Sequence, residues 1–217
     1  MPDSAVSLPR RGFFSRVGAA AAAFGAAIAP TPAAADTSTQ TTDSRWQPTR
    51  HTEDDWLEKI PGKHRLFFDT TTPETLGDGL QWAGNFFTGN KDGYGLEQNE
   101  VAIVICMRHE AAGWGFTDAM WNKYGASLAP ASRSADAKVE TTNTRAAAIG
   151  RLVERGVHFA VCNLSTRRMA GAIARKTGGK QDDLYAELKA NMIPNSRLVP
   201  AGIVAVNRAQ ERGYSLA

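Results

Sequence analysis

Cys162 has the residue type and the position of a reactive thiol. It ends an apolar stretch, residues 157–162, that predicts a β-strand, and Ser165 is predicted to cap the helix that follows. The sulfur atom would then lie near the amino end of a helix, where the partial positive charge stabilises a thiolate. The alternative, a small buried hydrophobe, is common for free cysteine and stays open.

Two arginines, Arg167 and Arg168, fall in the first turn of the same predicted helix. Cations at that end oppose the helix dipole and cost a few tenths of a kcal/mol. The pair therefore indicates an anionic group held nearby, such as a thiolate or a persulfide, and makes Arg167 a candidate binding residue. The alternative is that both side chains point into water.

The second cysteine, Cys106, lies inside residues 101–107, which are apolar throughout. This position favours a structural, buried thiol. Two cysteines are too few for a disulfide framework. Whether they pair with each other depends on their separation, which the sequence does not specify.

Polar residues follow the other predicted strands at the edge where ligands bind in parallel sheets. Asp69 lies near the end of the first strand, His109 follows the second and Asn163 follows the third. Asp69 could bind a ligand or satisfy the adjacent threonine-rich turn. His109 could move a proton or contact a ligand, or it could be a solvated loop histidine.

Other site chemistries are not indicated. His109-Glu110 begins like a zinc HExxH motif, but Gly113 stands where the second histidine is needed. The chain has no CxxC pair, GxGxxG motif or phosphate-binding loop. We therefore expect no metal and no nucleotide cofactor.

The elements that must position these residues alternate between strands and helices. Apolar runs at 65–70, 101–107, 157–162 and 197–199 predict strands, and residues 214–216 predict an edge strand. Such alternation predicts a three-layer α/β/α fold with a flavodoxin-like parallel sheet of about five strands.

Between the strands, Thr72 and Pro73 predict a helix start, and residues 90–93 predict a turn. A helix at 117–124 is predicted to end at Gly125, and residues 126–142 to form a long surface loop. A cluster of four large side chains, Trp114, Phe116, Met120 and Trp121, suits core packing, with a pocket or a subunit interface as alternatives.

The amino-terminal region resembles a twin-arginine export leader. Arg10 and Arg11 precede a short apolar run, residues 17–29, and a small-residue cleavage site at 33–35. That run is too short to cross about 30 Å of hydrocarbon. We expect a cleaved signal peptide (1–35), a linker with a short amphipathic helix (36–63), one α/β domain (64–217) and a periplasmic location.

Charge excludes one class of partner. Removal of residues 1–35 takes away three arginines and one aspartate and lowers the formal net charge from +3 to +1. The rest of the chain has no cluster of Lys and Arg, so we expect no nucleic acid partner. We also expect no stable membrane insertion after cleavage.

Residues 156–162, Gly-Val-His-Phe-Ala-Val-Cys, resemble a strand motif of the DsrE/DsrF/TusD-like family. Residues 198–204 and 209–214 resemble that family's closing strand, helix and Q-x-x-G-Y ending, so the likeness covers about 64–217. Residues 108–111 and 117–125 resemble an exported branch of the family. The chain departs from the sulfur-relay members in its export leader, in the Arg108-His109-Glu110 ending of its second strand and in its long 126–142 segment.

The resemblance implies a flavodoxin-like domain that assembles into symmetric oligomers. In relay members, the cysteine at the position of Cys162 carries sulfur as a persulfide, received from a donor and passed to an acceptor protein. We therefore expect a sulfur carrier that acts through Cys162. The alternative is a non-catalytic oligomer that binds a small ligand or a protein, with Cys162 incidental.

Overall fold

Five parallel strands form one sheet in the computed structural model, which describes residues 47–130 and 139–217. The strands are β1 (His64–Thr70), β2 (Val101–Met107), β3 (His158–Cys162), β4 (Ser196–Val199) and β5 (Ser215–Leu216). Their order across the sheet is β4-β3-β2-β1-β5. Every residue of β2 is buried, as predicted for an apolar strand that is covered on both faces. The predicted signal peptide, residues 1–35, lies outside the described residues.

Helices cover both faces of this sheet. The described α-helices are α1 (Trp56–Lys59), α2 (Pro73–Tyr94), α3 (Asp118–Leu128), α4 (Ala146–Glu154), α5 (Asn163–Thr177), α6 (Gln181–Ala190) and α7 (Gly202–Gln210). Helices α2 to α6 pack on one face, and α1 and α7 pack on the other. The predicted three-layer, flavodoxin-like α/β/α fold is therefore confirmed.

The strand order decides where the chain leaves the sheet. Each connection from β1 to β4 moves one strand in the same direction, and right-handed crossovers then place α2 to α6 on one face. The connection from β4 to β5 runs back, so α7 lies on the opposite face. The chain thus leaves β3 and β4 toward opposite faces, which opens a crevice at their carboxyl ends.

Helix α2 begins as predicted but ends later. Thr72 caps it, because its Oγ1 accepts a hydrogen bond from the Thr75 N–H at 3.2 Å. The turn predicted at residues 90–93 is wrong, since the helix continues to Tyr94. Gly95 ends it by adopting a left-handed backbone with φ of 69°.

Helix α3 also runs past its predicted end at Gly125. Tyr124 departs from helical geometry, with φ of −133° and ψ of 15°, yet the helix resumes and reaches Leu128. A Cβ atom on Gly125 would lie 1.8 Å from the carbonyl oxygen of Glu140. Gly125 therefore permits a close backbone approach and does not stop the helix. The predicted 126–142 loop is helical up to Leu128, and its residues 131–138 lie outside the described residues.

The segment predicted as a linker packs against the sheet in its described part. Trp56, Leu57 and Ile60 belong to the apolar cluster under α7. The carbonyl oxygen of Leu57 accepts hydrogen bonds from the Tyr214 hydroxyl at 2.8 Å and from Arg65 at 2.7 Å. The compact unit thus extends upstream of β1.

The aromatic cluster lies in the core. Trp114, Phe116, Met120 and Trp121 are all buried, and the rings of the two tryptophans are 5.4 Å apart. Core packing, the first of the alternatives, accounts for them. Within the described ranges, no helix has the length and apolar content to cross a bilayer.

Candidate functional site

Cys162 is both the last residue of β3 and the N-cap of α5. The helix begins at Asn163, three residues earlier than a cap at Ser165 predicts. The Ser165 hydroxyl instead accepts a hydrogen bond from the backbone N–H of His109 at 3.0 Å. The thiol therefore lies closer to the amino end of α5 than predicted, in the field of the helix dipole.

A cavity of about 350 Å³, lined in part by the buried Cys162, lies at the carboxyl ends of the central strands. We call it the thiol crevice. It lies between the start of α5, the start of α7 and the residues that follow β2. Its lining residues are Arg108, His109, Cys162, Leu164, Ser165, Arg168, Ala201, Gly202 and Ile203. Cys162 is 6% exposed.

Arg108 is the charged residue beside the thiol. Met107 of β2 pairs in register with Val161 of β3. The residues that follow them, Arg108 and Cys162, therefore also lie side by side. Asp69 holds the guanidinium with two hydrogen bonds of 2.7 Å. These bonds raise the pKa of Arg108 above its ordinary value, against the opposing effect of burial. Electrostatic interactions of the guanidinium with Cys106 and Cys162 add to the rise. Asp69 thus positions Arg108.

Gly202 allows Arg108 to occupy this place. A Cβ atom on Gly202 would lie 2.5 Å from Cδ and 2.6 Å from Cβ of Arg108. Gly202 is also the first residue of α7, so the amino ends of α5 and α7 meet at the thiol crevice. Neither helix has a side-chain cap. The carboxylate of Asp69 balances the charge of Arg108, so the two helix ends and the Arg168 guanidinium make the electrostatic potential in the crevice positive.

Cys106 lies below the crevice and is inaccessible. It is fully buried, and its thiol donates a hydrogen bond to the carbonyl oxygen of Gly202 at 3.8 Å. Burial raises the pKa of the Cys106 thiol far above its ordinary value, and the charges of Asp69 and Cys162 raise it further, against the opposing effect of Arg108. The thiolate of Cys106 is therefore strongly disfavoured.

The two cysteines are separate free thiols. Cys106 pairs in register with Ala160, so Cys162 lies two residues further along the neighbouring strand. With about 4.8 Å between strands and about 3.3 Å per residue, their Cα atoms are about 8 Å apart. A disulfide requires a Cα separation below about 7 Å, so the sheet would have to distort to form one.

The other predicted site residues divide between two places. His109 is exposed at the edge of the thiol crevice, with a left-handed φ of 54° that is uncommon outside glycine. Asn163 and Arg167 do not line the crevice. They turn toward α6, where the Tyr185 hydroxyl donates to Oδ1 of Asn163 at 2.8 Å and the Arg167 guanidinium lies 4.2 Å from the Tyr185 ring.

Sequence reasoning did not select Arg108, Arg168 or Gly202 as site residues. Arg108 carried a usable signal, because it follows β2 directly and β2 is the central strand. Arg168 had a weaker one, since the choice between it and Arg167 depends on where α5 begins. Gly202 had none, because its close contact with Arg108 joins residues distant in the chain.

Replacement of Arg108 by Gln should slow the reaction of Cys162 with a neutral electrophile. The substitution removes the cation beside Cys162 and leaves the carboxylate of Asp69 without its arginine partner. We expect the rate of alkylation by iodoacetamide at neutral pH to fall roughly tenfold, equivalent to about 1.4 kcal/mol. Mass spectrometry of peptides would measure alkylation at Cys162.

Arg108→Lys is the matched control, because it keeps the positive charge, and it should retain more of the rate than Arg108→Gln. Circular dichroism would check that both variants fold. Equal alkylation rates in the Arg108→Gln and unmodified proteins would contradict the electrostatic role of Arg108.

Metal ligands do not accumulate at this site. Across residues 47–130 and 139–217, no group of three or more His, Cys, Asp or Glu side chains is arranged to hold a metal ion. The chemistry available at the crevice is therefore that of a thiol close to arginine side chains and two helix ends.

Comparison with known proteins adds little to this geometry. No family model matches the chain, and no curated protein matches it. Among solved structures, the chain is similar to protein MTH1491, of unknown function, from Methanobacterium thermoautotrophicum. The match has 15% identity and a TM-score of 0.42 and covers 71% of this chain and 98% of that one.

Proposed function

We propose that this protein carries sulfur as a persulfide on Cys162. The observation that supports the proposal best is the place of this thiol, which lines the thiol crevice at the amino end of α5 while Cys106 is sealed in the core. A helix amino end and neighbouring arginine side chains attract anions, so they suit both an anionic sulfur donor and a persulfide held on this cysteine. The resemblance to DsrE/DsrF/TusD-like proteins agrees with this role.

Sulfur uptake from thiosulfate illustrates the step. The thiolate of Cys162 attacks the outer sulfur of the donor and forms a new S–S bond. The S–S bond of thiosulfate breaks, and sulfite leaves with the electron pair. No oxidant or reductant is consumed, since the sulfane sulfur is only transferred. The donor and the persulfide product are anions, and the positive potential of the crevice stabilises both.

An apolar rim around the crevice suits a protein acceptor. Leu164 is 63% exposed and Ile203 is 60% exposed, and each stands at the start of a helix that borders the thiol. Val204, next along α7, is 40% exposed. Exposed apolar side chains grouped in this way are typical of interaction surfaces. In the proposed scheme, an acceptor protein covers this rim while sulfur is transferred, and the carrier is an exported, oligomeric protein of the periplasm.

The direct test is the intact mass of the purified protein after incubation with thiosulfate or polysulfide. We expect the mass to rise by one sulfur atom, about 32 Da, per chain, and dithiothreitol to reverse the increase. An unchanged mass with both donors, under conditions where iodoacetamide alkylates Cys162, would overturn the carrier proposal. That outcome would favour the alternative of a ligand-binding protein without covalent chemistry.

A further inference from the structure

A second compartment continues the thiol crevice along α5. It has a volume of about 390 Å³ and shares two lining residues with the crevice, His109 and Arg168. Its floor includes Met169 and Ala172 of α5, and its far end is lined by Arg175. The thiol crevice and this basic compartment therefore adjoin at His109 and Arg168.

The charges of the basic compartment are arranged along one stripe of α5. Arg168 and Arg175 are seven residues apart, so they lie on the same side of the helix, two turns and about 10 Å from each other. Arg168 also donates to the carbonyl oxygen of His109 at 3.4 Å, which holds it at the junction of the two cavities. Glu110 lines the compartment too and adds a negative charge.

The spacing defines the size of the ligand. Arg168 is six residues after Cys162, about 9 Å along the helix axis, and Arg175 is about 10 Å further. Thiosulfate fits within the thiol crevice alone and does not also reach Arg175, which lines only the second compartment. Three amino acid residues in extended form span about 10 Å. A tripeptide with its sulfur at Cys162 therefore reaches Arg168 with one carboxylate. The Arg175 side chain extends back toward the second carboxylate, because it leans toward the amino end of α5 and its Nη1 lies 3.5 Å from the place of a Cβ atom on Gly171.

We propose that the organic substrate of this site is a peptide-sized thiol with free carboxylates, bound as its persulfide. Arg168 and Arg175 bind the carboxylates. This proposal rests on the carrier function of Cys162. It adds the class of the sulfur donor, which the thiol alone does not specify.

The transfer balances without a further reactant. The thiolate of Cys162 attacks the terminal sulfur of the peptide persulfide, and a new S–S bond forms on the protein. The S–S bond of the donor breaks, and its electron pair leaves on the peptide thiolate. The peptide thiol is then released from the basic compartment, and the persulfide stays on Cys162.

Binding can be tested without the reaction. We would titrate the full-length Cys162→Ala protein with S-methylglutathione, a tripeptide thioether with two carboxylates, by isothermal titration calorimetry. We expect saturable binding that Arg175→Ala weakens about tenfold, about 1.4 kcal/mol. Arg151→Ala is the matched control, because it removes an exposed arginine of α4 that lines neither cavity. This control should leave the Kd unchanged.

A second measurement separates this proposal from the carrier function. In the protein that keeps Cys162, Arg175→Ala should slow sulfur uptake from glutathione persulfide about tenfold and leave uptake from thiosulfate unchanged. No binding of S-methylglutathione, or equal Kd values with and without Arg175, would overturn the peptide proposal even if thiosulfate still loads Cys162. Failure of both donors to load Cys162, with binding intact, would overturn the carrier function alone.

Discussion

Sulfur uptake should be abolished in the Cys162→Ser protein and retained in the Cys106→Ala protein. The serine hydroxyl stays protonated at neutral pH and does not attack a sulfane sulfur, so the mass increase of about 32 Da should disappear. Of the two cysteines, only Cys162 lines the thiol crevice. We expect the loss to exceed a hundredfold in initial rate, on the order of 3 kcal/mol or more.

The Cys106→Ala variant is the control for this result. Cys106 is fully buried, and burial raises the pKa of its thiol, so it cannot supply the nucleophile. Its removal leaves a small void and should lower stability by about 1 kcal/mol without changing the site. Sulfur uptake that persists in Cys162→Ser and disappears in Cys106→Ala would reverse the assignment of the carrier residue.

Replacement of Gly113 by Ala should destabilise the protein strongly. A Cβ atom on Gly113 would lie 2.2 Å from the carbonyl oxygen of Leu128 and 3.0 Å from its carbonyl carbon. Both are backbone atoms at the end of α3, so no side-chain rotation relieves the contact. We expect a loss of about 3 kcal/mol or more in the free energy of unfolding. For a chain of this size, that corresponds to a fall in Tm on the order of 10 °C.

The same substitution at Gly150 should have the opposite effect. Gly150 lies inside α4, and a Cβ atom there would meet nothing within 4 Å. Alanine restricts the unfolded chain and suits a helix interior, so Gly150→Ala should stabilise the protein by up to about 1 kcal/mol. Thermal unfolding followed by circular dichroism measures both variants. Equal Tm values for the two would contradict the close packing assigned to Gly113.

The contact between Gly113 and Leu128 lies in the segment that leads from the candidate site. Gly113 belongs to a 3₁₀ helix, His109–Gly115, that the sequence did not reveal. This helix starts at the edge of the thiol crevice, where His109 has its left-handed backbone. We therefore expect the Gly113→Ala protein to show altered access to Cys162 in the iodoacetamide reaction.

The sequence by itself determined the fold class and the position of the thiol along the chain. The apolar run of β2 and the helical start at Thr72 depend on residues that are neighbours in the chain, so their patterns could be interpreted locally. Cys162 at the end of β3 followed from the same kind of pattern. The sequence did not predict where α2 and α3 end. The left-handed cap of α2 at Gly95 and the close approach of Gly125 to Glu140 outweigh the local turn signals, and α3 continues to Leu128.

Only the tertiary structure decided what surrounds the thiol. The order β4-β3-β2-β1-β5 brings the ends of β2, β3 and β4 together, and the register of β2 with β3 places Arg108 beside Cys162. The start of α5 at Asn163 then turns Arg168, and not Arg167, into the crevice. Strand order, register and helix phase arise from packing between residues far apart in the chain. A local pattern records which face of an element is buried, but it does not record which partner covers that face.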